Sequence, residues 1–421
     1  MSLSLRSRWQ SHPVVGRSAW TFADQAASSG SNFVLALTIL ATADLREFGA
    51  FSVAITGYLL VTQLTRSAFS LVVLILYSDD DGPAVASRAG PAVAAAVATG
   101  VAGAVAFLAA GLAFDGGRAM FLVLAGALPF LQYQDAVRHV AFAAAQPKVA
   151  ARSDGLWLFL QITASAVAAL TGRASPTVLL LVWAGAGSLS GVVFGARLRA
   201  VPRFASCLGW LAENSRLCAR VCTEFVLNSG SYYALSYGLV AVAGADQLGR
   251  WRAAQTLIGP VSVLLMGGTT LGVPESVRVR DRGASLHRVA AVLSTGLAGV
   301  AAAGGLLAYA VLPAVGPTLF PDTWATTRPV LPVLTLFAVA VGASTGPVAG
   351  LRARGQAGWI VRGRAVSGAA GLVAGLGLAA GSGAVGALTG LAVAEAGFAV
   401  AAWLRLRRAL DGRPSAADHG G

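Results

Sequence analysis

The sequence predicts an all-α, polytopic membrane protein with about twelve transmembrane helices in two six-helix bundles. Three observations carry that expectation. Only 12% of the 421 residues are charged, about half the roughly 25% usual in soluble domains, and the mean hydropathy is +0.70. Twelve segments are long and apolar enough to cross a bilayer, which takes about 20 residues. The first span of each half also shares a weak internal repeat. A soluble chain of this size could not cover its surface with so few charges, so a conventional soluble enzyme, a secreted disulfide scaffold and a disordered chain are excluded.

The expected spans are 19–43, 48–76, 89–113, 119–146, 154–172, 175–197, 219–243, 253–275, 287–313, 327–350, 358–380 and 383–404. Helices are required because lipid offers no partners to exposed backbone groups. The second and fourth run long, so they tilt or project from the bilayer. The first span follows Arg6, Arg8 and Arg17 and ends near Ala41-Thr42-Ala43, as a cleaved leader would. Asp24, Gln25 and Asn32 interrupt its apolar run and favour a retained span. Pro129, Pro260, Pro332 and Pro347 are expected to kink their helices.

Orientation follows from the basic residues, of which all are arginine except Lys148. With the N-terminus inside, 25 of the 31 fall on the inner side or at inner helix ends. That asymmetry is the positive-inside pattern. It places both termini in the cytoplasm; the expected location is the plasma membrane. It also gives the net charge of +13 an ordinary explanation, and no nucleic-acid partner is expected.

Residues 24–54 match 224–254 at an offset of 200, with 8 identities in the 26 positions from 29 to 54. Ser29-Gly30-Ser31 recurs as Ser229-Gly230-Ser231, and Asp24 aligns with Glu224. Both copies open a half from the same side, which argues for parallel repeats about an axis along the membrane normal. The expected organisation is a cytoplasmic N-terminus (1–18), a first bundle (19–197), a cytoplasmic linker (198–218), a second bundle (219–404) and a cytoplasmic tail (405–421). Val201-Pro202 opens the linker, and Trp210 with nearby leucines predicts an interfacial helix. Cys207, Cys218 and Cys222 cluster there with few histidines nearby, so no metal site is expected.

Polar residues fall on helix faces. Asp24, Gln25, Ser28, Ser29, Ser31 and Asn32 occupy an arc of about 160° at about 100° per residue. Gln132, Gln134, Asp135, Arg138 and His139 do the same on the fourth span, and Glu224, Asn228, Ser231 and Tyr232 on the seventh. Such faces turn from lipid towards a bundle interior or an aqueous cavity, or they join helices by hydrogen bonds. Asp24, Arg66, Asp135, Arg138, Asp154 and Glu224 are all expected in the inner half or at the inner edge. An inner mouth of this kind suits an amphiphile with an anionic head, since the arginine fork matches phosphate oxygens. Arg66 and Arg138 would hold the phosphates; alternatively they snorkel or pair with Asp24, Asp135 or Asp154. Glu395, in a span of Ala, Gly, Leu and Val, is either a protonation site for ion coupling or a carboxyl bonded to a neighbouring helix. No phosphate-binding loop, acidic metal motif or catalytic constellation occurs, so neither enzymatic activity nor a cofactor is expected.

Phe22-Ala23-Asp24-Gln25-Ala26, Ser29-Gly30-Ser31-Asn32-Phe33 and Glu47-Phe48-Gly49 resemble the opening of polysaccharide-biosynthesis exporters of the O-antigen flippase type. Leu131-Gln132, Asp135 to Arg138 and Ser153-Asp154-Gly155-Leu156-Trp157 resemble that family's fourth and fifth helices. The resemblance covers residues 18–165. It places the chain beside the multidrug/oligosaccharidyl-lipid/polysaccharide exporter superfamily and implies two bundles around a central, V-shaped cavity. The implied task is moving a polyprenyl-diphosphate-linked saccharide to the outer leaflet by alternating access. Asp24, Asn32, Gln132, Asp135, Glu224 and Asn228 would line the path beside Arg66 and Arg138. The implied partners are the lipid-linked saccharide, membrane lipid, and glycosyltransferases or a polymerase of one cell-envelope pathway. Two alternatives stand beside it: a proton- or sodium-coupled drug or metabolite antiporter using Asp24, Glu224 or Glu395, and a non-transporting scaffold for glycosyltransferases.

Overall fold

A computed structural model describes residues 13–78, 82–114, 116–259, 276, 277, 279, 283–321 and 323–411. Among these the regular structure is entirely helical. The chain divides by its contacts into two compact units, Met1–Ala43 with Ala54–Phe225, and Asp44–Val53 with Val226–Gly421.

The first unit is built from α1 (Pro13–Thr42), most of α2 (Leu45–Tyr77), the short α3 (Gly82–Arg88), α4 (Gly90–Ala113), α5 (Arg118–Ala143), α6 (Pro147–Leu170), α7 (Pro176–Leu198) and α8 (Cys207–Phe225). Pro91, Pro147 and Pro176 sit in the first turns of α4, α6 and α7, where a missing N–H costs nothing. α5 is the hub: it packs against α4 and α7, while α1 packs along α6. Small residues permit the close α5–α7 approach. A Cβ on Gly191 would stand 2.7 Å from the Gln134 Cβ, so α7 carries glycine where α5 presents its polar face. Trp183 of α7 is fully buried, and its carbonyl accepts from Trp157 Nε1 at 2.8 Å.

α2 is regular except for a π-helical turn over Arg66–Ser70. Such a turn adds a residue to the helical circuit and re-aims the side chains beyond it. The segment expected to form an interfacial helix is helical, as α8, an amphipathic segment with Trp210 buried and hydrogen-bonded to Tyr77 at 2.8 Å. It does not stop before the seventh span. It runs through a second π-helical turn, Val226–Gly230, into α9 (Ser231–Ala243).

The second unit continues with α10 (Ala245–Leu257), α11 (Gly283–Leu319), α12 (Trp324–Thr327), α13 (Val330–Ala353) and α14 (Ala357–Leu410). α13 packs against both α11 and α14, and α9 lies along α14. Gly49 and Gly249, which the repeat matches, meet here, and a Cβ on Gly249 would stand 3.0 Å from the Gly49 Cα. α14 is a 54-residue helical run interrupted at Gly383, where φ is 56° and ψ −132°. The break separates the eleventh and twelfth expected spans.

By length and composition, eight described helices can cross a membrane. Every expected span coincides with described helix over most of its length except the eighth, of which 260–275, including Pro260, lie outside the described residues. The protein is thus an all-α, multi-pass membrane protein. Two local expectations change. Pro332 lies in the first turn of α13, where it continues a helix start and does not kink it. The fifth helix begins at Pro147, seven residues before its apolar run, and so carries Asp154 inside a span.

Candidate functional site

The polar arc of α5 faces the interior of the first unit, since Gln132, Gln134, Asp135, Arg138 and His139 are all buried. Lipid gives these groups no partners, so the helix turns them towards α1, α2 and α6. Arg138 lies between two carboxylates. Its Nε donates to the two Asp24 oxygens at 2.9 and 3.0 Å, and its Nη2 also donates to Asp24 Oδ2. The same Nε is 3.2 Å from Asp154 Oδ2. Its single hydrogen is directed at Asp24, so Asp154 Oδ2 has charge attraction without a hydrogen bond. The other Asp154 oxygen accepts from Gln134 Nε2 at 2.7 Å.

Arg66, at the start of the π-helical turn in α2, pairs with Asp135. Its Nη2 donates to Oδ1 at 2.6 Å and its Nη1 donates to Gln63 Oε1 at 2.7 Å. His139 Nδ1 lies 2.7 Å from the Asp135 carbonyl and 3.5 Å from its carboxylate. The two arginines differ in access: the Arg66 side chain is 30% exposed and that of Arg138 is 9% exposed. Three carboxylates, Asp24, Asp135 and Asp154, therefore face two guanidiniums. Of the alternatives for Arg66 and Arg138, the geometry is that of pairing within the bundle. Nearby, Gln132 donates to Thr62 at 2.9 Å, Ser31 donates to Gln161 at 2.6 Å, and Asn32 is exposed.

In the second unit, Glu395 is buried but has a cationic partner. Its Oε2 accepts from Arg364 Nη1 at 2.5 Å and its Oε1 accepts from Ser344 Oγ at 2.7 Å. Arg364 also lies 4.2 Å over the Phe398 ring. This ion pair borders a cavity of about 300 Å³ that Asn228, Ser231, Tyr232 and Ser367 help to line. Asn228 itself is exposed, as is Glu224 in the last turn of α8, just before the π-helical turn.

Sequence reasoning singled out Glu395 and missed Arg364 as its partner. The available signal was an arginine inside an apolar span, which needs a counter-charge in the bundle. Ser344 carried no such signal.

The helical units and their buried charges define a multi-pass membrane protein with ionisable groups held inside its spans. No family model and no curated protein matches the chain. Solved structures do share its fold. The lipid II flippase MurJ, in an inward closed conformation, aligns with a TM-score of 0.69 at 10% identity, covering 93% of this chain and 87% of that one. An inward-facing multidrug resistance MATE family transporter of the MOP superfamily aligns with a TM-score of 0.68 at 12% identity, covering 95% and 100%. A MOP superfamily transporter from Pyrococcus furiosus gives 0.54 at 11% identity, covering 95% and 96%.

Proposed function

We propose that this protein is a membrane transporter that moves a polyprenyl-diphosphate-linked saccharide from the inner to the outer leaflet by alternating access. The fold shared with a lipid II flippase supports the class. The observation that carries the substrate reading is Arg66, a guanidinium inside a span that is paired with Asp135 yet 30% exposed. Its planar fork matches phosphate oxygens bidentately, and its exposed edge is where a diphosphate would reach it. Arg138, enclosed by Asp24 and Asp154, is the positioning residue that ties α1, α5 and α6 together. The prenyl tail stays in lipid, and the plasma membrane with cytoplasmic termini is the setting.

The test is flipping of a defined lipid-linked sugar in proteoliposomes. Arg66→Lys should retain partial transport, because the charge remains and the bidentate fork is lost. Arg66→Ala should lose most of it at equal incorporation. Normal transport by the alanine variant overturns the phosphate-holding role.

A second reading, a proton-coupled antiporter of drugs or metabolites, is favoured by the charge count of the buried network. Three carboxylates against two guanidiniums leave one negative charge, which a proton or cation neutralises. Transport that ignores lipid-linked sugars but follows a proton gradient would select this reading.

A further inference from the structure

Three arginines deep in the bundles have acidic partners: Arg66 with Asp135, Arg138 with Asp24 and Asp154, and Arg364 with Glu395. Arg197, Arg199 and Arg203 differ. Among the described residues no carboxylate pairs with any of them. They converge on one cavity of about 550 Å³ in the first unit, bordered also by Ser87, Gln146 and Val201.

The chain builds this cavity from the ends of several helices. α7 ends at Leu198, and Arg199 turns the chain with φ 53° and ψ 34°. That left-handed geometry suits glycine without strain, yet here it carries a long cationic side chain. The connector is then tied to the start of α4, where Arg203 N donates to the Gly90 carbonyl at 3.0 Å. Arg203 Nη2 donates to Ser87 Oγ at 3.0 Å, and Gln146 sits just before α6. A cation at a helix C-terminus is favourable through the helix dipole. That accounts for Arg197 in the last turn of α7 but not for Arg203, which lies outside the helix.

The second observation is apolar. Val201 borders the same cavity, and Phe204 and Leu208 follow Arg203 closely in the chain; the three are exposed by 62%, 59% and 79%. A soluble anion has no use for such a surface. A ligand that carries both phosphate and acyl chains matches both halves of it.

We propose that the cavity bordered by Arg197, Arg199 and Arg203 binds the headgroup of an anionic phospholipid, whose acyl chains lie against Val201, Phe204 and Leu208. The cationic rim supplies the charge complement, and basic pockets at helix ends are suited to such headgroups. The site is separate from the Arg66 network and does not depend on which substrate is transported.

Native mass spectrometry of the full chain in neutral detergent tests this, with phosphatidylglycerol, phosphatidylcholine and inorganic phosphate as probes. Phosphatidylglycerol should bind tighter than phosphatidylcholine by roughly tenfold. Replacing Arg197, Arg199 and Arg203 together by Gln should erase that preference, and replacing them together by Lys should keep most of it. Should the triple Gln variant fail to fold, Arg199→Gln alone should reduce the preference measurably. Phe204→Ser with Leu208→Ser should weaken phosphatidylglycerol binding, and Arg362→Gln, at another helix, should leave it unchanged. A preference that survives in the folded Gln variants overturns the proposal. So does displacement of phosphatidylglycerol by equimolar inorganic phosphate, which would make the site one for a soluble anion.

Discussion

Replacing Arg138 by Met removes the cation between Asp24 and Asp154 while keeping much of its packing volume. The Arg138 Nε contacts, 2.9 Å to Asp24 and 3.2 Å to Asp154, bring both carboxylates into direct reach of one guanidinium. Two unit charges about 4 Å apart at an effective dielectric of about 20 attract by about 4 kcal/mol. Removing one member of a buried ion pair costs about 3–5 kcal/mol, mostly because the partner stays buried and uncompensated. Arg138→Met should therefore lose about 3–5 kcal/mol in reversible unfolding in mixed micelles. Combining it with Asp24→Asn and Asp154→Asn removes the uncompensated charges, and much of that loss should return, because neutral replacement of a whole buried group is often tolerated. Transport by the triple variant should stay impaired, since the charged network is gone. Wild-type stability in Arg138→Met alone would refute the reasoning, because the guanidinium could not then be holding two buried carboxylates.

Other outcomes follow from single contacts. Glu395→Gln leaves Arg364 without its counter-charge and should cost on the order of 1–3 kcal/mol by the same unfolding assay, with Glu395→Gln/Arg364→Gln closer to wild type; an unchanged single variant removes the pair from the stability account. Gly383→Ala should destabilise by about 1–3 kcal/mol, since φ 56°, ψ −132° is glycine territory and its Cβ would stand 2.2 Å from Gln247 Oε1, which accepts from Ala384 N; equal stability would mean that α14 does not break there. Single cysteines placed in 78–88 and 276–285 should be protected from impermeant thiol reagents added outside intact cells, and labelling of either segment would invert the expected orientation.

Much of the architecture was legible because the bilayer is a severe solvent. It forces each crossing segment to be apolar and helical, so spans could be counted along the chain without knowing how they pack. The buried face of α5 was legible for the same reason: Gln132, Gln134, Asp135, Arg138 and His139 share one side of a helix, and only the protein interior can satisfy them.

What the tertiary structure decided is which charge meets which. Arg138 bonds Asp24 across 114 positions of sequence and Arg66 bonds Asp135 across 69. Periodicity assigns a residue to a helix face, but the partner depends on which helices adjoin and at what depth, and packing sets both. The π-helical turn at Arg66–Ser70 and the break at Gly383 shift that register by amounts no apolar pattern records. Glu395 shows the consequence. By sequence it was a lone carboxyl in an apolar span; the packing of α13 on α14 gave it Ser344, and the break of α14 at Gly383, which lets its two segments pack together, gave it Arg364, because an ion pair is a property of two packed segments and a hydropathy pattern describes one.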